Sequence, residues 1–276
     1  MKVLDITESP GSRAKPTEDR AGSSGNLGWV IDGATDFSNE RTLPGSSNVQ
    51  WLVDLVNCGL RELGALNKFT KVADVLDRLG ETVRAELASV APAGLRHHPC
   101  CSIGLAVFDD GSVELGRIGD AVLVAYAGDL VGQEVSTDFF NRREARAVRQ
   151  SRSAHQTREE IVAAMFSRRL EYIKGVHPES VFSGHPAGVF HVHRHTMPLK
   201  LAETVLICTD GFARAVDDYR LFPDWQELGR YARHAGLDGV TRLIRQHETS
   251  SAGTPGEKFK GADDVAAILL DSGSRR

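Results

Sequence analysis

Apolar residues first gather at residues 27–31, a short run that stops at Asp32-Gly33 and predicts a strand leading into a turn. The stretch before it, residues 9–25, is rich in Gly, Ser, Pro and charge and reads as a loop. From Val49 the period changes. Leu52, Val53, Val56, Leu60 and Leu63 keep the three-four spacing of one helical face. A second stripe, Val72, Val75, Leu76, Leu79, Val83 and Leu87, follows a candidate cap at Thr70. The two amphipathic helices are expected to pack as an antiparallel pair over a sheet.

Period two returns at Ile103, Leu105 and Val107. Asp109-Asp110-Gly111 then predicts a hairpin turn, and Val113 and Leu115 resume the alternation. Gly119-Asp120 interrupts before residues 121–126 supply another strand. Residues 138–175 carry nine Arg and Lys against five acids, with Ile161, Val162, Met165, Phe166 and Leu170 at helical spacing, and predict a charged helical insertion. Residues 189–195, 204–208 and 265–270 read as strands and 237–247 as a helix. Strand clusters and helix pairs do not alternate one for one, so an α+β sandwich is expected and not a doubly wound parallel sheet.

Composition narrows the class without changing this picture. At 276 residues, 41% of them hydrophobic, one domain can bury a proper core with no disulfide or structural metal, and no repeat or low-complexity linker divides the chain. The longest apolar run, residues 121–127, is far below the ~20 needed for a membrane helix, and residues 1–13 lack the apolar centre of a signal peptide. A cytoplasmic protein with no membrane partner is expected. Cys58, Cys100, Cys101 and Cys208 form no CxxC pair, and three of them lie in apolar stretches, which suits reduced thiols. A net charge of −4 argues against a nucleic-acid partner.

The candidate chemistry is acidic. Asp32 follows one apolar strand and Asp210 another, each with a glycine next, so both carboxylates stand at strand exits where the chain turns away from the core. Asp263 and Asp264 precede the last strand, and in antiparallel neighbours the start of one strand lies beside the end of the other. Glu18-Asp19 precede the first strand, and Asp120 interrupts the middle ones. Like charges ~4 Å apart cost several kcal/mol at a protein surface, so such a gathering calls for a cation. With no His or Cys at ligand spacing, an all-oxygen site selects Mg²⁺ or Mn²⁺ over zinc.

These residues, Thr17-Glu18-Asp19, Val30-Ile31-Asp32-Gly33, Ile118-Gly119-Asp120, residues 206–212 and Ala262-Asp263-Asp264-Val265-Ala266, stand in an order that resembles the metal-dependent protein serine/threonine phosphatases of type 2C, as a divergent member of bacterial type. The resemblance implies a four-layer α-β-β-α sandwich, two antiparallel sheets flanked by helix pairs. It implies that Asp32 bridges two Mn²⁺ or Mg²⁺ ions. Gly33 (through its carbonyl) and Asp19 or Glu18 would hold one ion, and Asp210 and Asp263 the other. Asp120 would belong to a third, weaker site. The activity implied is hydrolysis of phosphoserine and phosphothreonine in proteins by a metal-activated water, with phosphorylated proteins of a serine/threonine kinase signalling pathway as partners. The insertion at 138–175 lies where the family carries a variable flap beside the cleft.

The chain departs from that pattern at two points. Many relatives grip the substrate phosphate with an arginine four residues before the Glu; here that position is Ala14, flanked by Arg13 and Lys15, which become the phosphate-binding candidates. The His or Met that often follows the Asp-Gly is replaced by Ala34, which removes a side-chain general acid. Asp264 stands where Asn is usual. A catalytically weak module that binds a phosphorylated partner, and a phosphatase for small phosphoesters, therefore remain as alternatives. His191, His193 and His195 would share one face of a strand, read as a solvated face. Arg142, Arg143, Arg146 and Arg149 form a basic helical stripe, likewise read as solvated. His97-His98 read as a non-catalytic loop, and Trp29, Trp51 and Trp225 as core.

Overall fold

A computed structural model describes residues 1–12, 16–35, 41–91, 93–154, 157–250 and 262–273. Among the described residues ten strands form two five-stranded sheets, and every pairing is antiparallel. In one sheet the order is β2 (Arg20–Ser24), β3 (Leu27–Gly33), β4 (Cys101–Asp109), β5 (Ser112–Ile118) and β8 (His193–Pro198). In the other it is β1 (Lys2–Ser9), β10 (Val265–Asp271), β9 (Thr204–Cys208), β6 (Val122–Ala127) and β7 (Leu130–Val135).

Alternation along the strands builds three apolar layers. In β3, Leu27, Trp29 and Ile31 face α1 (Asn48–Ala65) and α2 (Val72–Val90), which supply Leu52, Val56, Leu60, Leu76 and Leu79. Val30 points the other way, into the layer between the sheets, where it meets Ile207, Ile268 and Leu270. In β9 the outward pair Leu206 and Cys208 packs with Phe212 of α5 (Asp210–Asp217), Leu228 of α6 (Trp225–Ala235) and Val240 of α7 (Leu237–Ser250). The four-layer α-β-β-α sandwich expected from the sequence is therefore the observed architecture.

Local details correct several expectations. The stretch read as a loop over residues 9–25 contains β2, an edge strand of small residues. Gly22 is needed there because a Cβ would meet Trp29 Cζ2 at 2.7 Å. The helix expected to be capped by Thr70 starts one residue later, with Lys71 at the cap making no side-chain bond; instead the Glu114 carboxylate of β5 accepts from the Val72 N–H at 2.5 Å. The strand expected at 189–195 is shifted: β8 begins at His193, and the His191 N–H donates to Ser180 Oγ at 2.6 Å. Trp29 and Trp225 are core, while Trp51 only packs against it.

The charged insertion folds as two helices, α3 (Phe139–Ala154) and α4 (Arg158–Ile173). Thr157 and Glu160 form a reciprocal capping box that starts α4. The insertion is seated on the sandwich by a small apolar cluster of Cys100, Ile173 and Val181, with Ala34, Phe140 and Tyr172 against it. His97 adds to this seat by stacking on Phe166 at 3.7 Å.

Candidate active site

The acids meet at one end of the sandwich, on the seam between the sheets. Asp32 shares the inward face of β3 with Val30, but it lies past the last apolar layer, so its carboxylate opens into a cleft. Directly across the ladder, Asp32 pairs in register with Ser102 of β4, and Ser102 Oγ donates to Asp120 Oδ1 at 2.6 Å. In the facing sheet, Cys208 and Ala267 are register partners, which brings Asp210, just past β9, beside Asp263 and Asp264, just before β10. Thr209 locks this join, since its N–H donates to the Ala266 carbonyl at 2.9 Å and its Oγ1 accepts from the Ala266 N–H at 3.0 Å. Gly211 has no room for a side chain, because a Cβ would run into the Asp264 carbonyl.

The electrostatics of this end are unbalanced. Burial, then the charges of Asp264 and Asp210, hold the Asp19 carboxyl well above the usual range. Asp32 is pushed the same way by burial and then by Asp19, Asp210 and Asp120. Asp263, Asp264 and Glu18 beside them are held by protein partners. Arg214, one turn after Asp210 on α5, donates to Asp263 Oδ2 at 2.5 Å. Burial works against its charge, but Asp210 and Asp263 outweigh it and hold the guanidinium more firmly protonated than usual. Asp264 accepts from the Gly11 N–H at 2.8 Å and the Glu18 N–H at 2.6 Å, which ties the N-terminal segment to the start of β10. Glu18 Oε1 accepts from Ser47 Oγ, the cap of α1, at 2.5 Å.

A cleft of about 230 Å³ rises from this acidic floor to the insertion. Asp32, Asp120, Asp210 and Asp263 line its base, Phe140, Ile161, Met165 and Tyr172 its outer wall, and Arg143, Arg168 and Arg169 its rim. Cys100 also lines it, but burial raises its thiol pKa, which disfavours a thiolate nucleophile.

The structure thus brings together Asp19, Asp32, Asp120, Asp210 and Asp263. Glu18 instead turns its carboxylate to the cap of α1. Arg13 and Lys15, the phosphate-binding candidates, lie outside the described residues, as does Ala14. The basic stripe divides: Arg143 faces the cleft, while Arg142 pairs with Asp138 at 2.7 Å on the surface. The three histidines do not share a strand face, because His191 precedes β8. His191 Nε2 lies 2.9 Å from the Gly175 carbonyl and His193 Nε2 lies 3.1 Å from Glu179 Oε2. Sequence reading missed Ser102, Arg214, Arg168 and Arg169. Arg214 was within reach, because it follows Asp210 by four residues and so returns to the same helical face.

The chain's fold is similar to those of bacterial serine/threonine phosphatases. Stp1 from Staphylococcus aureus superposes with a TM-score of 0.59 at 14% identity, covering 98% of this chain and 95% of that one. PstP/Ppp from Mycobacterium tuberculosis gives 0.56 at 16% identity over 96% of each chain. The catalytic domain of PstP in complex with two manganese ions gives 0.55 at 14% identity, again over 96% of each. The chain therefore has the fold of the type 2C serine/threonine phosphatases over nearly its whole length. No protein-family model and no curated protein sequence matches it.

Among the described residues no three His, Cys, Asp or Glu side chains are already set around one ion. The donor set nevertheless fits a hard divalent cation. It is all oxygen, burial and then the neighbouring carboxylates hold Asp19 and Asp32 above their ordinary range, and at Gly33 a Cβ would strike the Glu18 carbonyl at 2.7 Å and Val49 at 2.8 Å, so the backbone stays bare. Among the described residues no helix is long and apolar enough to cross a membrane.

Proposed function

We propose that the protein is a metal-dependent phosphatase that hydrolyses phosphoserine and phosphothreonine in cytoplasmic phosphoproteins of a serine/threonine kinase pathway. The observation that carries this reading is the crowding of Asp32, Asp120, Asp210 and Asp263 at the base of one cleft with Asp19 buried beside them, on the fold of serine/threonine phosphatases. Asp32 with the Gly33 carbonyl and Asp19 would hold one Mn²⁺ or Mg²⁺, Asp32 with Asp210 and Asp263 the second, and Asp120 a third. When bound, such ions supply a water of lowered pKa and neutralise charge on phosphoryl oxygens.

The chain's own residues prepare that site. Arg214 keeps Asp263 from swinging into solvent, Ser102 fixes the rotamer of Asp120, and Asp264 anchors the segment before β2 that presents Asp19. The apolar wall from Phe140 to Tyr172 excludes bulk water from one side of the cleft, which strengthens charge interactions inside it. No side-chain acid stands at Ala34, so the leaving alkoxide takes its proton from water.

Release of phosphate from p-nitrophenyl phosphate and from a phosphothreonine peptide, measured with Mn²⁺, with Mg²⁺ and with EDTA, tests this reading. Turnover that EDTA abolishes and that Asp210→Asn lowers by 10²-fold or more is expected. Absence of turnover with either ion refutes it and leaves a phosphoprotein-binding module, while turnover of p-nitrophenyl phosphate alone points to small phosphoesters.

A further inference from the structure

The acidic floor cannot by itself hold a dianionic phosphoryl group; the cation side chains that line the cleft are Arg143, Arg168 and Arg169. Their surroundings assign them different work. Arg143 is committed to the insertion: it lies 3.5 Å from Glu171, 3.4 Å from His177 Nδ1, and 5.5 Å from the ring centres of both Phe139 and Tyr172. Arg169 spans the cleft mouth, where its Nη2 donates to the Thr35 carbonyl at 2.9 Å and so ties α4 to the loop three residues beyond Asp32. Arg168 is anchored differently. Its Nε donates to the Ala164 carbonyl of its own helix at 3.2 Å. Both terminal amines are left without a hydrogen-bond partner among the described residues.

A guanidinium held at Nε keeps its outer two N–H groups parallel, the fork that matches two oxygens of a phosphate. Ile161 and Met165, which also line the cleft from α4, lower the local dielectric and raise the value of such a contact. Resting on the phosphomonoester reading above, we propose that Arg168 grips the substrate phosphoryl oxygens from the α4 side of the cleft, with Arg169 positioning the helix for it. The grip enters from the insertion, where this chain has Ala14 in the N-terminal segment. Phosphate recognition is thereby coupled to the seating of α3 and α4.

Arg168→Ala and Arg168→Lys, compared with the parent on a phosphothreonine peptide with Mn²⁺, separate this role from a structural one. In Arg168→Ala, KM and the inhibition constant for inorganic phosphate are expected to rise tenfold or more, with kcat changed less than threefold and the thermal midpoint unchanged. Arg168→Lys, a point charge without the fork, should recover part of the loss. Values within twofold of the parent in Arg168→Ala overturn the proposal. If the parent shows no turnover, the phosphatase reading fails by itself, and calorimetry of inorganic phosphate with Mn²⁺ present decides about Arg168. Binding by the parent that the alanine variant loses supports the grip. Equal binding by both, or binding by neither, overturns it.

Discussion

Arg117 of β5 and Glu179, six residues beyond α4, meet in a buried two-pronged pair, with Nη1 2.7 Å from Oε2 and Nη2 2.8 Å from Oε1. The same Nη1 donates to the Gly119 carbonyl at 2.6 Å, so the pair fastens the return of the insertion to the turn that carries Asp120. Burial opposes the Glu179 charge, yet Arg117 holds its carboxyl below the usual range.

Removing one partner of such a pair is expected to cost more than removing both. Glu179→Ala strands the guanidinium in the interior, and a loss of about 3–5 kcal/mol in urea unfolding is the expected outcome. Arg117→Met combined with Glu179→Leu should regain most of it. A single-variant loss below ~1 kcal/mol would show that water reaches the pair.

The acidic floor should destabilise the metal-free protein. Asp32→Asn relieves repulsion from Asp19, Asp210 and Asp120, so in EDTA its thermal midpoint is expected above the parent's. Saturating Mn²⁺ should reverse the order: a ligand at 100 times its Kd adds about 2.7 kcal/mol to the parent, and the variant forfeits most of that. Equal midpoints for both proteins in EDTA would argue that the carboxylates are too far apart to interact.

Gly119 adopts φ +81, and a Cβ there would run into Ser102 Oγ. Gly119→Ala therefore strains the backbone and displaces the hydroxyl that holds Asp120. A loss of roughly 1–3 kcal/mol in stability is expected, together with weaker binding of the ion proposed at Asp120. Ser102→Ala should leave stability closer to the parent's while still weakening that ion, as read by manganese titration.

His98 provides a pH signature away from the acids. Its Nδ1 is buried without a partner among the described residues, its ring meets the edge of His185 at 4.4 Å, and burial followed by His185 lowers its pKa to about 4. Unfolded, the imidazole titrates near 6.5. As pH falls from about 6.5 to about 4, the unfolded chain takes up a proton that the folded chain refuses, so stability declines through that window and levels off below it. Relative to the parent, His98→Phe should gain stability steadily across the same window in urea unfolding. A difference independent of pH would place His98 in solvent.

The strands and helices legible in the sequence are those with apolar residues on a buried face. β3, β4, β5, β9 and β10 each carry fully buried side chains, and α1 and α2 carry stripes of Val and Leu. β1 and β2 escaped because both are edge strands: the first exposes Val3, Leu4 and Ile6, and the second is built from small and polar residues. α5 escaped because Asp210-Gly211 has the form of a turn, whereas here Asp210 opens a helix whose next residue must lack a Cβ.

The sequence by itself determined the inventory of acids and their position at strand ends, because a short apolar run that stops at Asp-Gly is a local signal. Only the tertiary structure decided which of them share a cleft. Asp32 faces Asp120 through Ser102, and Asp210 faces Asp263 through the Cys208–Ala267 register, pairings between residues 18 to 88 positions apart that no local period encodes. The arginines show the same limit from the other side. Helical spacing sets Arg168 and Arg169 on the same side of α4 as Ile161, Met165 and Phe166, a face that a lone helix would leave to solvent. The seating of the insertion on Ala34 and Cys100 instead turns them over the acids, because buried apolar contact sets where the helix lies and the charges must follow.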